Sequence, residues 1–371
     1  MAKPKTEETA KATRKPAKIQ SSTKVALCVP SSVISKSNAR NLEQITNIAY
    51  QIAKAASVYN VSEIVVLDIP TADEIQKKLE AEANKAVQLE GDKGNKKIKF
   101  NISNEEIVAE AKSEEGPAAE KLVEKEENEN NALLLATLLQ FFVTPPYLVK
   151  GVFRASKYNK KFKYAEKLPK LSNLPFMNNN GVIEDFKEGL TVPKHTPKIQ
   201  KKNKKVSALK KLKVTKYVNV GQSSLLELNG TEVPVNVRVT VDVKNKKIVS
   251  PQEAYGVTGS KASFGYFVRY AKSFSSIFTE SSFPSGYTES VFVQADDFFG
   301  KAKDSKLDTV DKVGKGEVLF VVSNLKDLEY SFSQEKIPGV EQVTEMFDSQ
   351  VKVPPGLRIE DAALVALAKA L

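Results

Sequence analysis

Apolar residues are spaced in three different ways along this chain, and the spacing divides it. Lys24–Pro30 is a continuous apolar run, the pattern of a strand buried on both faces of a parallel sheet. Leu42, Ile45, Ile48, Ala49, Ile52, Ala53 and Ala56 then recur at helical spacing as far as Tyr59, with Asn38 as the predicted cap. Ile64–Leu67 is a second apolar strand, so the ordered chain opens with a strand–helix–strand unit. Ala132–Phe142 reads as an apolar helix stopped by Pro145 and Pro146. From Lys213 the period shortens to that of strands: Val214–Val220, Ser223–Leu228 and Val235–Val243, with turns at Asn229-Gly230 and Lys244–Lys247. Helix and strand signals return afterwards. Phe264–Phe278 is predicted as an amphipathic helix, and Pro284–Tyr287 as a turn. Thr288–Val293 and Glu317–Val322 read as strands, with a loop at Ser323–Asp327. Met346–Val353 is short and apolar, and Ile359–Leu371 is a capped C-terminal helix.

The expected fold class is therefore α/β, with one domain built from residues 23–185 and 255–371. A small β-module, residues 186–254, of the OB type by size and charge, is inserted into it. Two stretches fall outside this frame. Residues 1–22 read as a disordered basic tail without the apolar core of a secretory signal. Thr71–Asn130 holds 16 acidic residues and 10 lysines with almost no aromatics, which predicts a flexible charged insertion.

Charge narrows the choice of partner. The net charge is +11, and Lys150–Lys216 alone carries eighteen lysines and one arginine against four acidic residues. Such clustering suits a polyanion, RNA or DNA rather than a membrane surface, although a solvated face or a nuclear-localisation run has the same composition. The best candidates for RNA phosphate contact are Lys201, Lys202, Lys204, Lys205, Lys210 and Lys211. Phe153, Tyr158, Phe162 and Tyr164 are interleaved with the basic residues, which suits base stacking or, equally, anchoring to a core. The same basic runs point to the nucleus or nucleolus, with the cytoplasm also compatible.

Other chemistries find little support. Cys28 stands alone inside an apolar run and reads as a small buried hydrophobe. His195 stands alone in a Pro/Lys-rich stretch, so neither a Ser-His-Asp triad nor a multi-histidine metal site is expected. No apolar run approaches the roughly 18 residues of a membrane span.

Several segments together resemble the SPOUT-type, trefoil-knot RNA methyltransferases, in the archaeal and eukaryotic subgroup with an OB-like insertion. Gln51-Ile-Ala-Lys-Ala55 and Tyr59–Val66 are similar to its first helix and second strand. Leu138–Phe142 with Pro145–Phe153 is similar to its proline-containing helix pair. Tyr217–Gly221, Arg238–Val241 and Val249–Glu253 are similar to the inserted barrel. Gly265–Ala271 and Gly286-Tyr287 resemble the return to the catalytic domain, and Leu357–Ala363 the start of the last helix.

The resemblance implies a knotted parallel sheet, a homodimer, an RNA substrate and S-adenosylmethionine held by three loops in the knot. By position those loops are Gln294–Gly300, Ser323–Leu328 and Val353–Arg358, each following a strand. The implied cofactor-binding residues are Gln294, Ala295, Asp296, Ser323, Asn324, Leu325, Leu328, Val353, Pro355, Gly356 and Leu357. Arg269 and Arg358 are the candidates for catalytic or RNA contact, or else for structural ion pairs, Arg358 with Glu360 or Asp361. The chain departs from the family pattern where glycines are expected in the first two loops, and the third is shortened to Pro354-Pro355-Gly356. Glycine lets backbone approach a ligand closely. Two readings follow: a methyltransferase acting on a base in ribosomal RNA, or a non-catalytic relative that binds RNA during ribosome assembly. Methylation of a protein side chain, also known for this fold, fits the basic middle less well.

Overall fold

The structure is a computed structural model that describes residues 23–70, 130–154, 156–177, 185–193, 213–230, 232–256, 264–296, 307–335 and 337–371. The predicted tail, nearly all of the charged insertion, and the lysines from Lys201 to Lys211 lie outside these residues. In chain order, β1 (Lys24–Pro30), α1 (Leu42–Val58) and β2 (Glu63–Leu67) come first, then α2 (Asn131–Phe142) and the single turn α3 (Val149–Val152). The central module holds β3 (Phe186–Thr191), β4 (Val214–Thr215), β5 (Tyr217–Asn219), β6 (Leu226–Glu227), β7 (Val233–Pro234), β8 (Arg238–Asp242), β9 (Lys247–Val249) and α4 (Pro251–Tyr255). The last part holds β10 (Phe267–Ala271), α5 (Phe274–Thr279), β11 (Glu289–Gln294), β12 (Glu317–Ser323), α6 (Leu325–Ser333), β13 (Ser349–Gln350) and α7 (Ile359–Ala370).

Six strands from the two flanking parts form one parallel sheet in the order β10-β2-β1-β12-β11-β13. Its strands read as apolar runs because both faces are covered. Val25, Leu27, Val29, Ile64, Val66, Val318 and Phe320 point to a core closed by α1, α2 and α7. Their alternates Ala26, Cys28, Val65, Leu67, Leu319 and Val321 point to a second core with Phe274, Phe292 and Phe347. Cys28 is fully buried there, and burial pushes its thiol up to about 12, as a small hydrophobe.

The middle of the chain makes a five-stranded antiparallel sheet, order β6-β5-β3-β8-β9, around Val218, Val220, Leu228, Val239 and Val241. The pair β4-β7 stands beside it. Gly221 is needed where this sheet meets the α/β part. Its φ is +79°, and an added Cβ would fall 2.5 Å from the Tyr147 ring.

A buried polar knot joins the two parts. Glu188 has no exposed surface. Its carboxylate accepts from Arg238 Nε at 3.0 Å, Thr240 Oγ1 at 2.7 Å and the Tyr255 hydroxyl at 3.3 Å. Arg238 also donates to the Val143 carbonyl at 2.9 Å and lies over Phe176 at 4.5 Å, both from the α/β part. Burial raises the Glu188 pKa, and Arg238 opposes that rise.

Three sequence expectations are corrected. Asn41, not Asn38, caps α1, accepting from the Gln44 N–H at 2.9 Å. Phe264–Phe278 is not one helix. Its β-branched and aromatic residues instead pair as β10 with β2, and only Phe274–Thr279 is helical. The C-terminal helix has no side-chain cap: Arg358 occupies the cap position but turns its side chain elsewhere.

Replacing Arg238 with Ala would strand the Glu188 charge in the interior. We expect a loss of about 3–5 kcal/mol in urea unfolding followed by circular dichroism. An unchanged midpoint would show that this pair does not hold the two parts together.

Candidate functional site

The carboxyl ends of β1, β11 and β12 lie side by side, where open α/β sheets place ligands. The chain segments that leave them are stitched together. The Ala295 N–H donates to the Ser323 carbonyl at 3.0 Å, and the Asp296 N–H to the Leu357 carbonyl at 2.8 Å. The segments after β11 and β13 therefore meet at the carboxyl end of β12. Asp296 holds this position with φ +58°, a left-handed backbone that Asp tolerates better than most residues.

A second circuit brings in the segment after β1, which sequence reasoning did not include. The Ser32 hydroxyl donates to the Asp327 carboxylate. Asn38 Nδ2 donates to the Ser32 carbonyl at 3.0 Å, and Arg358 Nη2 to the Asn38 carbonyl at 3.1 Å. Arg358 Nε then pairs with Glu360 Oε1 at 2.8 Å. The ion pair anticipated for Arg358 is thus made with Glu360. The only advance signal for Asn38 was its misread capping role; Ser32 gave none.

The circuit leaves an excess of negative charge. The Asp296 carboxyl is raised from 3.8 to about 6, chiefly by burial and then by the charge of Glu360, with Arg358 pulling the other way and Asp327 adding to the rise. Burial also raises Asp327 and Glu360. Glu360 is only 5% exposed, and its Oε2 has no hydrogen-bond partner among the described residues. Asp296, Asp327 and Glu360 outnumber Arg358 in this circuit, which suits a ligand that brings positive charge or N–H groups. Among the described residues no acidic group gathers tightly enough to hold a metal ion. Next to the circuit a cavity of about 290 Å³ opens between α1 and the start of α7, reached by Arg358 and Glu360.

The other predicted site residues fall into place or out of it. Gln294 ends β11 opposite Ser323. Val353, Pro355, Gly356 and Leu357 lie in the segment before α7, with Gly356 at φ +79°. Ser323–Leu328 is not a loop: Asn324 caps α6, accepting from the Asp327 N–H at 2.8 Å, and Leu325 begins the helix. The Asn-x-x-Asp spacing was the available signal. Leu328 is fully buried in the second core and is no ligand contact.

Arg269 is removed from the site altogether. It lies on β10, three strands from β12. It donates to Glu63 Oε1 at 2.7 Å, to the Ser276 and Ile277 carbonyls at 2.7 and 2.9 Å, and to the Tyr287 hydroxyl at 3.2 Å. It is a structural clamp between β2, β10 and α5.

The basic middle is partly visible. Lys150 in α3, and Arg154, Lys157, Lys160, Lys163 and Lys167 in the folded segment after it, are all exposed. The interleaved aromatics do not stack on bases: Phe153, Tyr158 and Phe162 are 6%, 5% and 3% exposed, and Phe162 stacks on Phe141 at 4.6 Å. They anchor the segment so that its cations face outward. Tyr164 is half-buried, with Lys163 and Lys167 over its ring at 5.6 and 5.8 Å.

Comparison with known proteins gives this arrangement a family. Residues 24–370 match the family described as "Putative RNA methyltransferase". The chain belongs to this family. It is a SPOUT-type family. A Saccharomyces cerevisiae protein named "Putative methyltransferase YMR310C" is 34% identical over 338 residues, 89% of this chain and 87% of the relative. Two proteins named "28S rRNA (uridine-N(3))-methyltransferase" are each 25% identical. That of Drosophila melanogaster aligns over 93% of this chain and 61% of its own length, and that of Homo sapiens over 93% and 77%. The family match takes in both flanking parts and the antiparallel sheet between them.

If Arg269 is a clamp, Lys cannot replace it, because an ammonium cannot reach a carboxylate and two carbonyls as a planar fork does. Arg269→Lys should lose roughly 2 kcal/mol or more of stability in urea unfolding. Arg269→Gln, which removes the charge, should leave the salt dependence of RNA binding unchanged in filter-binding assays, and a salt slope lowered by about 1 would restore Arg269 as an RNA contact.

Proposed function

We propose that this protein is an S-adenosylmethionine-dependent RNA methyltransferase acting on a base in large-subunit ribosomal RNA. The observation that carries the reading is the meeting of the segments after β11 and β13 at the carboxyl end of β12, around a half-buried acidic site, in a member of an RNA methyltransferase family. The 28S rRNA activity named for two relatives supports the choice of RNA. S-adenosylmethionine supplies a methyl group on a sulfonium centre, and its transfer depends on alignment and exclusion of water more than on a nucleophilic side chain. Backbone groups of Gln294–Asp296 and Val353–Leu357 would form the cradle, Ser323 and Asn324 its floor, and Asp296 the charge facing the cationic centres. Arg358 and Glu360 would stand on the substrate side.

We read the segment before α7 as threaded through the connection between β11 and β12. That connection holds it at two places: Asp296 bonds Leu357, and farther along Thr309 pairs with Gln350 beyond the sheet edge. Val313 also donates to the Ala370 carbonyl at 3.1 Å. Threading of this kind breaks the usual rule that chains do not pass through their own loops. The five-stranded module, residues 186–254, is read as the OB-like RNA-binding insertion, and the lysines from Lys201 to Lys211 as part of its grip. A homodimer would bury Leu364 of α7 and Leu371 just after it, both of which stay exposed. A ribosomal RNA substrate would suit residence in the nucleus or nucleolus, with the cytoplasm also compatible.

Calorimetric titration with S-adenosylmethionine tests the reading. Micromolar binding is expected. Asp296 must ionise to attract the cation, so affinity should rise as pH passes about 6 and level off above it. Stability runs the other way. The folded pKa lies above the unfolded value, so ionisation opposes folding as pH rises from about 4 to about 6, and the loss is complete above that. Asp296→Asn should flatten both profiles. No binding at millimolar ligand, by a folded protein that still holds RNA, would favour the non-catalytic assembly factor.

The exposed lysines after α3 make a separate prediction. Changing Lys160, Lys163 and Lys167 together to Ala should reduce the slope of log affinity against log salt by about 2, from about 0.7 per phosphate contact on single strands. An unchanged slope would remove this segment from the RNA interface.

A further inference from the structure

We propose that Tyr164 is a stacking platform for an unpaired base of the RNA, with Lys163 and Lys167 placed to take the phosphates beside it. The proposal rests on the RNA methyltransferase reading and adds to it a residue that holds a base where the lysines hold only the backbone. Four aromatics punctuate the basic segment, and three are spent on the interior. Phe153, Tyr158 and Phe162 are buried there. Tyr164 alone of the four stays half-buried.

The ring is carried on a fixed backbone. Phe162 stacks on Phe141 at 4.6 Å and meets Phe153 edge-on at 4.9 Å, and Ala165 is buried in the same core. Tyr164 sits between these two anchors. The Lys167 N–H donates to the Tyr164 carbonyl at 3.1 Å, and the Leu168 N–H to the Ala165 carbonyl at 3.3 Å. Farther on, the Ser57 hydroxyl of α1 donates to Asn173 Oδ1 at 2.7 Å. A ring already held in place loses little freedom when a base arrives.

The charges around the ring suit a polynucleotide. From Lys150 to Lys170 the chain holds eight cations and one acid, Glu166. The Nζ atoms of Lys163 and Lys167 lie over the Tyr164 ring, 5.6 and 5.8 Å from its centroid. Both lysines are exposed, so the ring surface beneath them is within reach of a ligand. A cation–π contact at an exposed site is weaker than a stacked base. A base can therefore take the ring and release both ammonium groups to its flanking phosphates. Every base has a π-face, so the platform grips without reading sequence. A duplex keeps its bases stacked inside, so the partner it fits is single-stranded RNA.

The segment also starts near the right edge of the sheet. The Tyr158 hydroxyl donates to the Asn130 carbonyl at 3.4 Å. Asn130 Nδ2 donates to Asp68 Oδ2 at 3.4 Å, and Asp68 directly follows β2. In the sheet β2 lies two strand spacings from β12, about 10 Å. A single strand held at Tyr164 can therefore run along the lysines to the carboxyl edge, where the proposed site lies.

The test is fluorescence-polarisation titration of the full-length protein with short labelled single strands: oligo(U), oligo(A), and an abasic oligomer with the same phosphates. Tyr164→Leu fills the space of the ring but cannot stack. It should weaken binding to both base-bearing oligomers about ten-fold, the worth of one stacked base. Its binding to the abasic oligomer, and its slope of log affinity against log salt, should match the unaltered protein. Tyr164→Phe keeps the ring and should restore full affinity. Undiminished binding by Tyr164→Leu would overturn the proposal. So would an equal loss on the abasic oligomer or a lowered salt slope, since either would mean that the ring only props the lysines. Tritiated methyl incorporation into a large-subunit rRNA transcript tests the parent reading separately. Incorporation with no loss of binding in Tyr164→Leu sinks the platform alone. A ring-dependent grip without incorporation keeps the platform and sinks the enzyme.

Discussion

Six strands running in one direction, covered on both faces, leave a single place where chain ends can meet a ligand: the carboxyl edge of the sheet. Every other feature of the α/β part is subordinate to that constraint. Val25–Pro30 and Glu317–Ser323 are apolar on both sides because helices close both faces. Cys28 is small and inert because it points into the thinner of the two cores. Arg269, which chemistry alone would put in a site, is held by Glu63 and the Ser276 carbonyl, tying β10 to the rest of the sheet.

Charge is divided between places. The chain carries a net +11, yet the edge where the loops meet is acidic. Exposed lysines after α3 can neutralise phosphates, while the carboxyls at the loop edge face positive or N–H groups. At physiological salt charges are screened over about 8 Å, so a cationic surface and an acidic site on one molecule need not cancel. A polynucleotide can be held by its backbone at one place while a neutral base enters another.

The sequence made the main strands legible because a doubly buried strand leaves an unbroken apolar run, and nothing else in the chain imitates it. It misled at Phe264–Phe278, where Val268 and Tyr270 face one core and Arg269 and Ala271 the other. A two-residue alternation that short is hidden by the helix that follows. The site was legible only in part. Loop positions follow from strand ends, so the segments of Asp296 and Leu357, which touch in the fold, could be located in advance. Ser32 and Asn38, which bond Asp327 and Arg358, arrive through tertiary contact from a segment hundreds of residues away, which no local pattern records. Nor does composition tell a stacking aromatic from an anchor. Phe153 and Phe162 sit among lysines in sequence but against Phe141 in space.

The missing glycines now have a physical answer. A loop needs glycine when its backbone must enter the left-handed region without help from its neighbours. Asp296 enters that region with φ +58° while its N–H is fixed to the Leu357 carbonyl and the preceding Ala295 N–H to the Ser323 carbonyl. Strain at a non-glycine residue there is of order 1 kcal/mol, and hydrogen bonds on two successive amides can offset it. The aspartate then places a carboxyl where glycine would place nothing. Substitution of glycine is therefore not equivalent to loss of the loop's shape; at this position it adds the charge that a cationic ligand would seek.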